Sequence, residues 1–356
     1  MKIVFVTQEL DPDHPALAQT VDLVRALAAR VDEVGVATRR VACDVPANVR
    51  VETFDSGGKL GRGLAFERAL TSISRDADAV LVHMVPQFAL LAAPIALARR
   101  APLMLWYTHW HASRALRAAT RVVDVVLSVD ASSFPLATSK LRATGHAIDV
   151  ATFDAPPLVR HDGPLRVLAL GRTARWKGLA TLIDAVGHTD AELEIRGPSL
   201  TEDERAHRSE LERQADGLPV RVLPAVSRAQ VPALFAAADL VVSPNEPDTG
   251  ATLDKTVFEA AACRRPVLST NASFAPLLDG TGLPLIAPPR DAVALAAAIE
   301  CVARADHAVT RAAGEELRSR VVAHHSVDHW ADRVIRTIRE VRSPRGKAGN
   351  ARQAAG

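Results

Sequence analysis

Two cations flank a short loop in the segment GRTARWKG (171–178), which joins an apolar run to a helical pattern. Gly171 permits a tight exit from the preceding strand, and Arg172 and Lys177 stand on either side of the loop. Two cations beside a helix N-terminus favour an anion, above all a phosphate. Solvated charge around a turn is the other interpretation of these residues. Neither this loop nor the first strand leads into GxGxxG, which argues against a dinucleotide-binding dehydrogenase.

A second group of polar residues lies in 243–270, where a predicted strand ends at Ser243 and a loop precedes a helix. Asp254 is the candidate N-cap of that helix. Lys255 and Glu259 are four residues apart and therefore share one helix face. A surface ion pair there would contribute only about a few tenths of a kcal/mol. In a site, the lysine would meet a phosphate and the glutamate would accept hydrogen bonds from two adjacent hydroxyls, such as those of a ribose.

Short apolar runs alternate with amphipathic helical patterns along the whole chain, and this rhythm predicts the elements that hold these residues. The runs are 3–6, 34–38, 79–83, 103–109 and 125–129, then 165–171, 192–197, 220–223, 239–243 and 266–270. Such alternation predicts parallel sheets with helices on both faces. The stretch 148–164 lacks periodicity and is rich in Pro, Asp and Gly, which is typical of a linker and puts a domain boundary near residue 160. We predict an α/β chain of two facing, doubly wound Rossmann-like domains with a ligand in the cleft between them.

Length and composition exclude several classes of protein. At about 150 residues per domain, 356 residues allow two domains, and a net charge of +2 implies no general nucleic-acid partner. Three distant cysteines, Cys43, Cys263 and Cys301, are too few for a disulfide framework or a Cys-based zinc site. The longest apolar stretch, 88–98, is interrupted by Pro94 and is shorter than the roughly 18 residues of a membrane span. A cytoplasmic protein is expected.

Three segments, GRTARWKG, FAAADLVVSP and DKTVFEAAACRRPVLST, resemble the donor half of retaining GT-B glycosyltransferases, most closely glycosyltransferase family 4. The resemblance covers most of 165–270 and continues more weakly through TQELDPDHPALAQTVDLVRAL, LWYTHWH and TGHAID. It implies a GT-B fold and metal-independent, retaining transfer of a hexose from a UDP- or GDP-linked sugar to an acceptor hydroxyl, with no cofactor. It also implies an acceptor-side domain over 1–160, with a helix at 327–341 packing back on it, and a donor domain over 161–326. We expect 343–356 to be a disordered tail.

On the donor side, the resemblance implies that Arg172 and Lys177 bind the diphosphate and that Glu259 holds the ribose. Lys255 would lie near the diphosphate or the sugar. Because a leaving nucleoside diphosphate gains negative charge, fixed cations would stabilise it. Val226, in the LPAVS loop, matches the family position whose backbone reads the nucleobase.

One donor-site position departs from the family pattern. The family often has two glutamates eight positions apart, and eight residues before Glu259 this chain has Ala251. Glu246 and Asp254 are the nearby acids that would serve a displaced role. Alternatively, backbone amides near Gly250 and Ala251 would hold the sugar, and the sequence leaves the two possibilities open.

The first half carries the predicted acceptor side. His109 stands at the predicted end of a strand, where relatives place a histidine that faces the sugar, so the resemblance assigns it to the active site. A histidine satisfied by the backbone at a strand end is the other interpretation. Trp110 and His111 follow it, and Asp13 and His14 lie in the loop after the first strand, where this fold often meets the acceptor.

Other functions stay open at this point. A same-fold sugar-nucleotide epimerase would bind the donor without an acceptor, and a catalytically silent relative would only bind the nucleotide sugar. A metal hydrolase would use His109 and His111 as ligands, with His83 and His14 recruited from other strand ends. Residues 11–13 form a DxD sequence, which holds a metal in the other major glycosyltransferase fold, but here it follows the first strand and is not in the context of that motif. The acceptor is a glycan, a lipid-linked molecule or a small molecule, and peripheral membrane association is left open.

Overall fold

The computed structural model describes residues 1–14, 17–55, 58–246 and 253–343. The chain divides into two compact units. The first unit comprises Met1–Ala147 and the helix that starts at Val327, and the second comprises Ile148–Ser326. The chain therefore passes from the first unit to the second after Ala147, earlier than the predicted boundary near residue 160. Gly250, Ala251 and the tail beyond residue 343 lie outside the described residues.

The first unit is built on a parallel sheet. Its strands are β1 (Lys2–Val6), β2 (Glu9–Leu10), β3 (Glu33–Thr38), β4 (Arg40–Val41), β5 (Val49–Thr53), β6 (Ala79–His83), β7 (Leu103–Trp106), β8 (Val125–Ser128) and β9 (Leu141–Ala143). Seven of them form one sheet in the order β5-β3-β1-β6-β7-β8-β9, and β2 pairs separately with β4. The central strands β1, β6 and β7 are apolar apart from Lys2 and His83 at their ends, because helices cover both of their faces.

Helices of the first unit form two layers, one on each face of the seven-stranded sheet. They are α1 (Gln19–Ala28), α2 (Lys59–Ile73), α3 (Pro86–Arg99), α4 (Arg114–Val122) and α12 (Val327–Arg342). The core under α2, α3 and α4 contains alternate strand residues such as Val80 and Val82. The core on the other face contains Leu81 and packs against α1 and α12, with Trp330 of α12 fully buried in it.

The second unit repeats the architecture on a smaller scale. Its strands are β10 (Arg166–Leu170), β11 (Glu192–Arg196), β12 (Val220–Leu223), β13 (Leu240–Ser243) and β14 (Val267–Ser269). All are parallel, in the order β12-β11-β10-β13-β14. Its helices are α5 (Leu179–Val186), α6 (Glu202–Gln214), α7 (Val231–Ala237), α8 (Lys255–Ala262), α9 (Ala275–Leu278), α10 (Ala292–Arg304) and α11 (His307–His325). Short 3-10 turns lie at Arg175–Lys177, Arg228–Gln230 and Ala272–Phe274.

The predicted pair of parallel-sheet α/β domains is confirmed, with differences at individual strands. β7 ends at Trp106, so His109 lies in the following loop and not at the strand end. The apolar stretch 88–98 lies inside α3, which ends at Arg99. Among the described residues, no helix is both long and apolar enough to cross a membrane.

Candidate active site

The carboxyl ends of β10 and β13 bring together a buried lysine and an aspartate. The Lys177 ammonium forms an ion pair with the Asp254 carboxylate, although the two residues are far apart in sequence. Oxygen Oδ2 of Asp254 also lies 3.4 Å from Oγ of Ser243 and 3.3 Å from Nδ2 of Asn245. Only 10% of the Lys177 side chain is exposed, so its charge is held in a fixed place where the parallel strands end.

Two glycines, Gly178 and Gly197, allow the loops around Lys177 to lie in close contact. Gly178 follows the turn that carries Lys177 and has φ +62°. A Cβ on Gly178 would overlap the carbonyl oxygen of Pro244, and a Cβ on Gly197 would overlap that of Gly171. A larger residue at either position would push apart the loops that follow β10, β11 and β13.

Arg172 is held by helix α6. Its guanidinium forms an ion pair with Glu204, whose other carboxylate oxygen accepts the Leu200 N–H at 2.6 Å. Burial by itself raises the pKa of the Glu204 carboxyl, but the Leu200 amide and Arg172 together hold that pKa below its ordinary value. The Nε of Arg172 is buried and has no hydrogen-bond partner among the described residues, whereas 43% of the side chain as a whole is exposed.

Sequence reasoning missed the residues of α6 that anchor this loop. Glu204 and His207 are both buried, and Nδ1 of His207 lies 2.8 Å from the carbonyl oxygen of Thr173. The signal was present, because Glu204, His207 and Leu211 recur at helical spacing on one face of a helix that is otherwise charged. These two polar residues therefore face the GRTARWKG loop and fix its backbone.

The predicted pair on α8 is present and mostly buried. Nζ of Lys255 lies 3.0 Å from Oε1 of Glu259, and only 11% of the Glu259 side chain is exposed. Asp254 does precede the first residue of α8, but its carboxylate makes no capping hydrogen bond to the described N–H groups of that helix. Asp254 is therefore the N-cap residue of α8, as predicted, but its carboxylate pairs with Lys177 instead of capping the helix.

Each predicted donor-site cation thus has a carboxylate partner. The pairs are Arg172–Glu204, Lys177–Asp254 and Lys255–Glu259. A small pocket is lined by residues that include Gly171, Arg172, Lys177, Asn245 and Asp254. The structure therefore brings two of the three cations, Arg172 and Lys177, to one pocket. The third cation, Lys255, directly follows Asp254 as the first residue of α8. Cations that are already oriented need little reorganisation when an anion binds.

Two further predicted residues lie in other loops of the second unit. The Glu246 N–H donates to the Trp176 carbonyl at 2.9 Å, and its Oε2 accepts from Nε of Arg290 at 3.0 Å. Val226 is half-buried in the loop between β12 and the turn at 228–230. The backbone of Glu246 therefore binds the loop that carries Lys177. Val226 lies in a different loop, the one after β12.

In the first unit, His109 belongs to a small aromatic loop after β7. Its Nδ1 accepts the His111 N–H at 3.1 Å, and its ring stacks on Trp110 with 5.5 Å between centroids. Burial, together with the charge of His111, lowers the pKa of His109, so the imidazole is neutral at pH 7. Trp110 is 47% exposed. This loop therefore presents a neutral imidazole beside an exposed indole.

The predicted residues after β1 make local contacts. The Asp13 N–H donates to Oδ1 of Asp11 at 2.9 Å, and Nδ1 of His14 accepts the Leu17 N–H at 2.9 Å. Nε2 of His14 lies 3.9 Å from Oε2 of Glu9. In the parts of the chain that the structure describes, no group of three or more His, Cys, Asp or Glu residues is arranged to hold a metal ion. The metal-hydrolase alternative thus gains no support from these residues.

Several solved structures of known proteins share this fold. The fold is that of the GT-B glycosyltransferases. Sucrose-phosphate synthase from Thermosynechococcus elongatus is similar at a TM-score of 0.76 and 18% identity, and the match covers 96% of this chain and 99% of that one. Anabaena Alr3699/HepE in complex with UDP and glucose is similar at a TM-score of 0.72 and 19% identity, with 95% of this chain and 99% of that one covered. A glycosyltransferase from Rickettsia africae ESF-5 is similar at a TM-score of 0.76 and 13% identity, with 96% of this chain and 99% of that one covered. No curated protein matches the chain.

A family model matches most of the second unit. Residues 164–305 match the family model described as Glycosyl transferases group 1. All of the predicted donor-binding residues, from Gly171 to Glu259, fall inside this match. The resemblance to glycosyltransferases, the GT-B fold and the assignment to the transferases are thereby confirmed.

Proposed function

We propose that the protein is a metal-independent, retaining glycosyltransferase that moves a hexose from a nucleoside-diphosphate sugar to an acceptor hydroxyl. The observation that carries the proposal is the buried Lys177–Asp254 pair beside Arg172, at the carboxyl ends of β10 and β13. Ligands of parallel α/β sheets bind at this edge. The proposal assigns the donor to the second unit and the acceptor to the first.

The chemistry of the donor explains why cations are needed there. The bond between the anomeric carbon and the diphosphate oxygen breaks, and its electron pair stays on the leaving nucleoside diphosphate. The acceptor oxygen forms the new bond to the anomeric carbon, and its proton passes to the leaving diphosphate. Lys177 and the guanidinium of Arg172 would stabilise the charge on the diphosphate as it develops.

The remaining predicted residues take supporting roles in the proposal. Glu259 would accept hydrogen bonds from the ribose hydroxyls, and Lys255 would orient its carboxylate at 3.0 Å. His109, held neutral, would face the sugar from the acceptor side. Uracil is the favoured base, because the structure of Anabaena Alr3699/HepE was solved with UDP and with UDP-glucose.

Lys177→Ala and Glu259→Ala test the site. We expect both variants to remain folded and to lose transfer from the donor that the wild type uses. Arg175→Ala is the matched control, since Arg175 lies in the same loop but pairs with the exposed Glu210 on the surface. The control should retain transfer. Full activity in both site variants would defeat the assignment.

A thermal-shift screen with nucleoside diphosphates and nucleotide sugars identifies the donor first. A ligand at about 100 times its dissociation constant stabilises the folded protein by about 2.7 kcal/mol. We expect a stabilising nucleotide sugar in the wild type and a smaller shift in Lys177→Ala. Conversion of the nucleotide sugar without an acceptor would point to an epimerase, and binding without turnover across a broad acceptor panel would point to a silent relative.

A further inference from the structure

A long stretch of the first unit contains no acidic residue. Between Asp78 and Asp124 the sequence has neither Asp nor Glu, and this stretch supplies β6, α3, β7 and α4. It carries five arginines, all of them exposed: Arg99, Arg100, Arg114, Arg117 and Arg121. In a chain with nearly equal numbers of acidic and basic residues, this is a marked local separation of charge.

Helix α3 exposes apolar side chains where a surface helix normally carries polar ones. Arg99 is its only charged residue. Leu97 is 81% exposed and Leu91 is 39% exposed, and both point away from the core that holds Ala89, Ala92 and Ala96. Exposed apolar side chains on the solvent-facing side of a helix are a feature of interaction surfaces.

Helix α4 lies beside α3 in the same layer and presents a basic face. Arg114, Arg117 and Arg121 recur at i, i+3 and i+7, opposite the buried Leu116 and Ala119. None of these arginines forms an ion pair with a carboxylate in the described part of the chain. Because α2, α3 and α4 cover the same face of the sheet, the outer sides of α3 and α4 form one surface.

We propose that this surface docks the protein on an anionic lipid bilayer. The α3–α4 face is defined here by Leu91, Leu97, Arg100, Arg114, Arg117 and Arg121. Leucine side chains enter the boundary between headgroups and acyl chains, and arginines contact the lipid phosphates around them. Nucleic acid would satisfy the arginines but would leave the leucines in water. The combination of apolar and cationic groups therefore favours a bilayer.

The α3–α4 face lies next to the aromatic loop after β7. Helix α4 starts at Arg114, directly after the loop that holds His109 and the exposed Trp110. Indole rings are favoured at membrane interfaces because one end is apolar and the other polar. Docking would give that loop access to acceptors anchored in the membrane. This consequence rests on the proposed function, whereas vesicle binding does not depend on it.

Sedimentation of the full chain with phosphatidylglycerol–phosphatidylcholine vesicles measures the docking. We expect binding to these vesicles, little binding to phosphatidylcholine alone, and weaker binding as salt is raised. Arg117→Gln/Arg121→Gln should bind about 25-fold more weakly, at about fivefold for each arginine near the surface. Leu97→Ser should bind about tenfold more weakly, because the side chain no longer enters the apolar boundary.

Arg25→Gln/Arg336→Gln is the matched control. These exposed arginines lie on α1 and α12, which cover the opposite face of the sheet, so the same loss of charge should leave binding unchanged. All variants change exposed side chains, and equal melting temperatures would show that they are folded. The proposal is overturned if the wild type ignores anionic vesicles, or if both double variants weaken binding equally. It is also overturned if duplex DNA binds the α3–α4 face more tightly than the vesicles do.

Discussion

His83 makes the stability of the first unit depend on pH. It ends β6 in a buried position between Phe5 and Trp106, with ring centroids 5.8 and 5.1 Å away. Its Nδ1 lies 3.1 Å from Oγ1 of Thr7. Burial lowers the pKa of His83 from 6.5 to about 3, because a charged imidazole would lose its hydration there.

The sign and size of the effect follow from proton linkage. The unfolded chain takes up this proton near pH 6.5, whereas the folded chain does so only near the lowered pKa, so protonation favours unfolding between these two values. The contribution of neutral His83 is complete above pH 6.5 and is lost progressively as the pH falls towards about 3. Between about pH 7.5 and about pH 5, this loss is about 2 kcal/mol in the free energy of unfolding.

Urea unfolding of the full chain at both pH values measures this loss. Tryptophan fluorescence reports on the region directly, because Trp106 stacks on His83 and Trp330 packs 5.1 Å from Trp106. We expect the wild type to lose about 2 kcal/mol more than His83→Gln over this range. The exposed His188→Gln is the control and should behave like the wild type. Equal pH dependence in the wild type and His83→Gln would refute the reasoning.

Three further substitutions test the second unit. Gly178→Ala should lower the free energy of unfolding by about 1–3 kcal/mol and weaken nucleotide binding, because the new Cβ would overlap the Pro244 oxygen and the residue has a positive φ. Urea unfolding measures the first loss and nucleotide titration the second. Glu204→Gln should raise the KM for the donor more than it changes kcat, because Arg172 loses the charge that holds it. Arg265→Met should cost about 3 kcal/mol in urea unfolding, since the buried guanidinium donates to two carbonyls at the end of α7.

Each of these substitutions has a control of the same chemistry. Gly217→Ala also has a positive φ, +75°, but its Cβ would meet no atom within 4 Å, so it should cost less than Gly178→Ala. Glu210→Gln removes an exposed partner of Arg175 and should leave KM unchanged. Arg304→Met changes an exposed arginine and should leave stability unchanged. Equal effects within any pair would contradict the corresponding explanation.

The central strands could be predicted from the sequence because they are buried on both faces. Strands β5 and β9 were not predicted, since both are edge strands in which charged residues such as Arg50, Glu52 and Arg142 break the apolar run. β7 was predicted to continue to His109. It ends at Trp106 because the Thr108 N–H turns to the sulfur of Met84, 3.3 Å away, and leaves the strand ladder.

The site was predictable where its contacts are local. Lys255 and Glu259 share one helix face by spacing alone, and the structure joins them at 3.0 Å. Lys177 and Asp254 are 77 residues apart, so no spacing rule connects them, and only the fold brings them together. Glu204 was missed for a similar reason, since its partner lies on another element and an acid in a charged helix is usually exposed.

The return of α12 to the first unit affects how the protein is made. The core around α1 and Trp106 lacks Trp330 until α12 has been synthesised, after the whole of Ile148–Ser326. At about 5–20 residues per second, that segment takes roughly 10 to 40 seconds to emerge from a ribosome. All of the second unit is therefore synthesised before α12, and the core of the first unit lacks Trp330 during that interval, when a chaperone has the opportunity to bind the uncovered apolar surface.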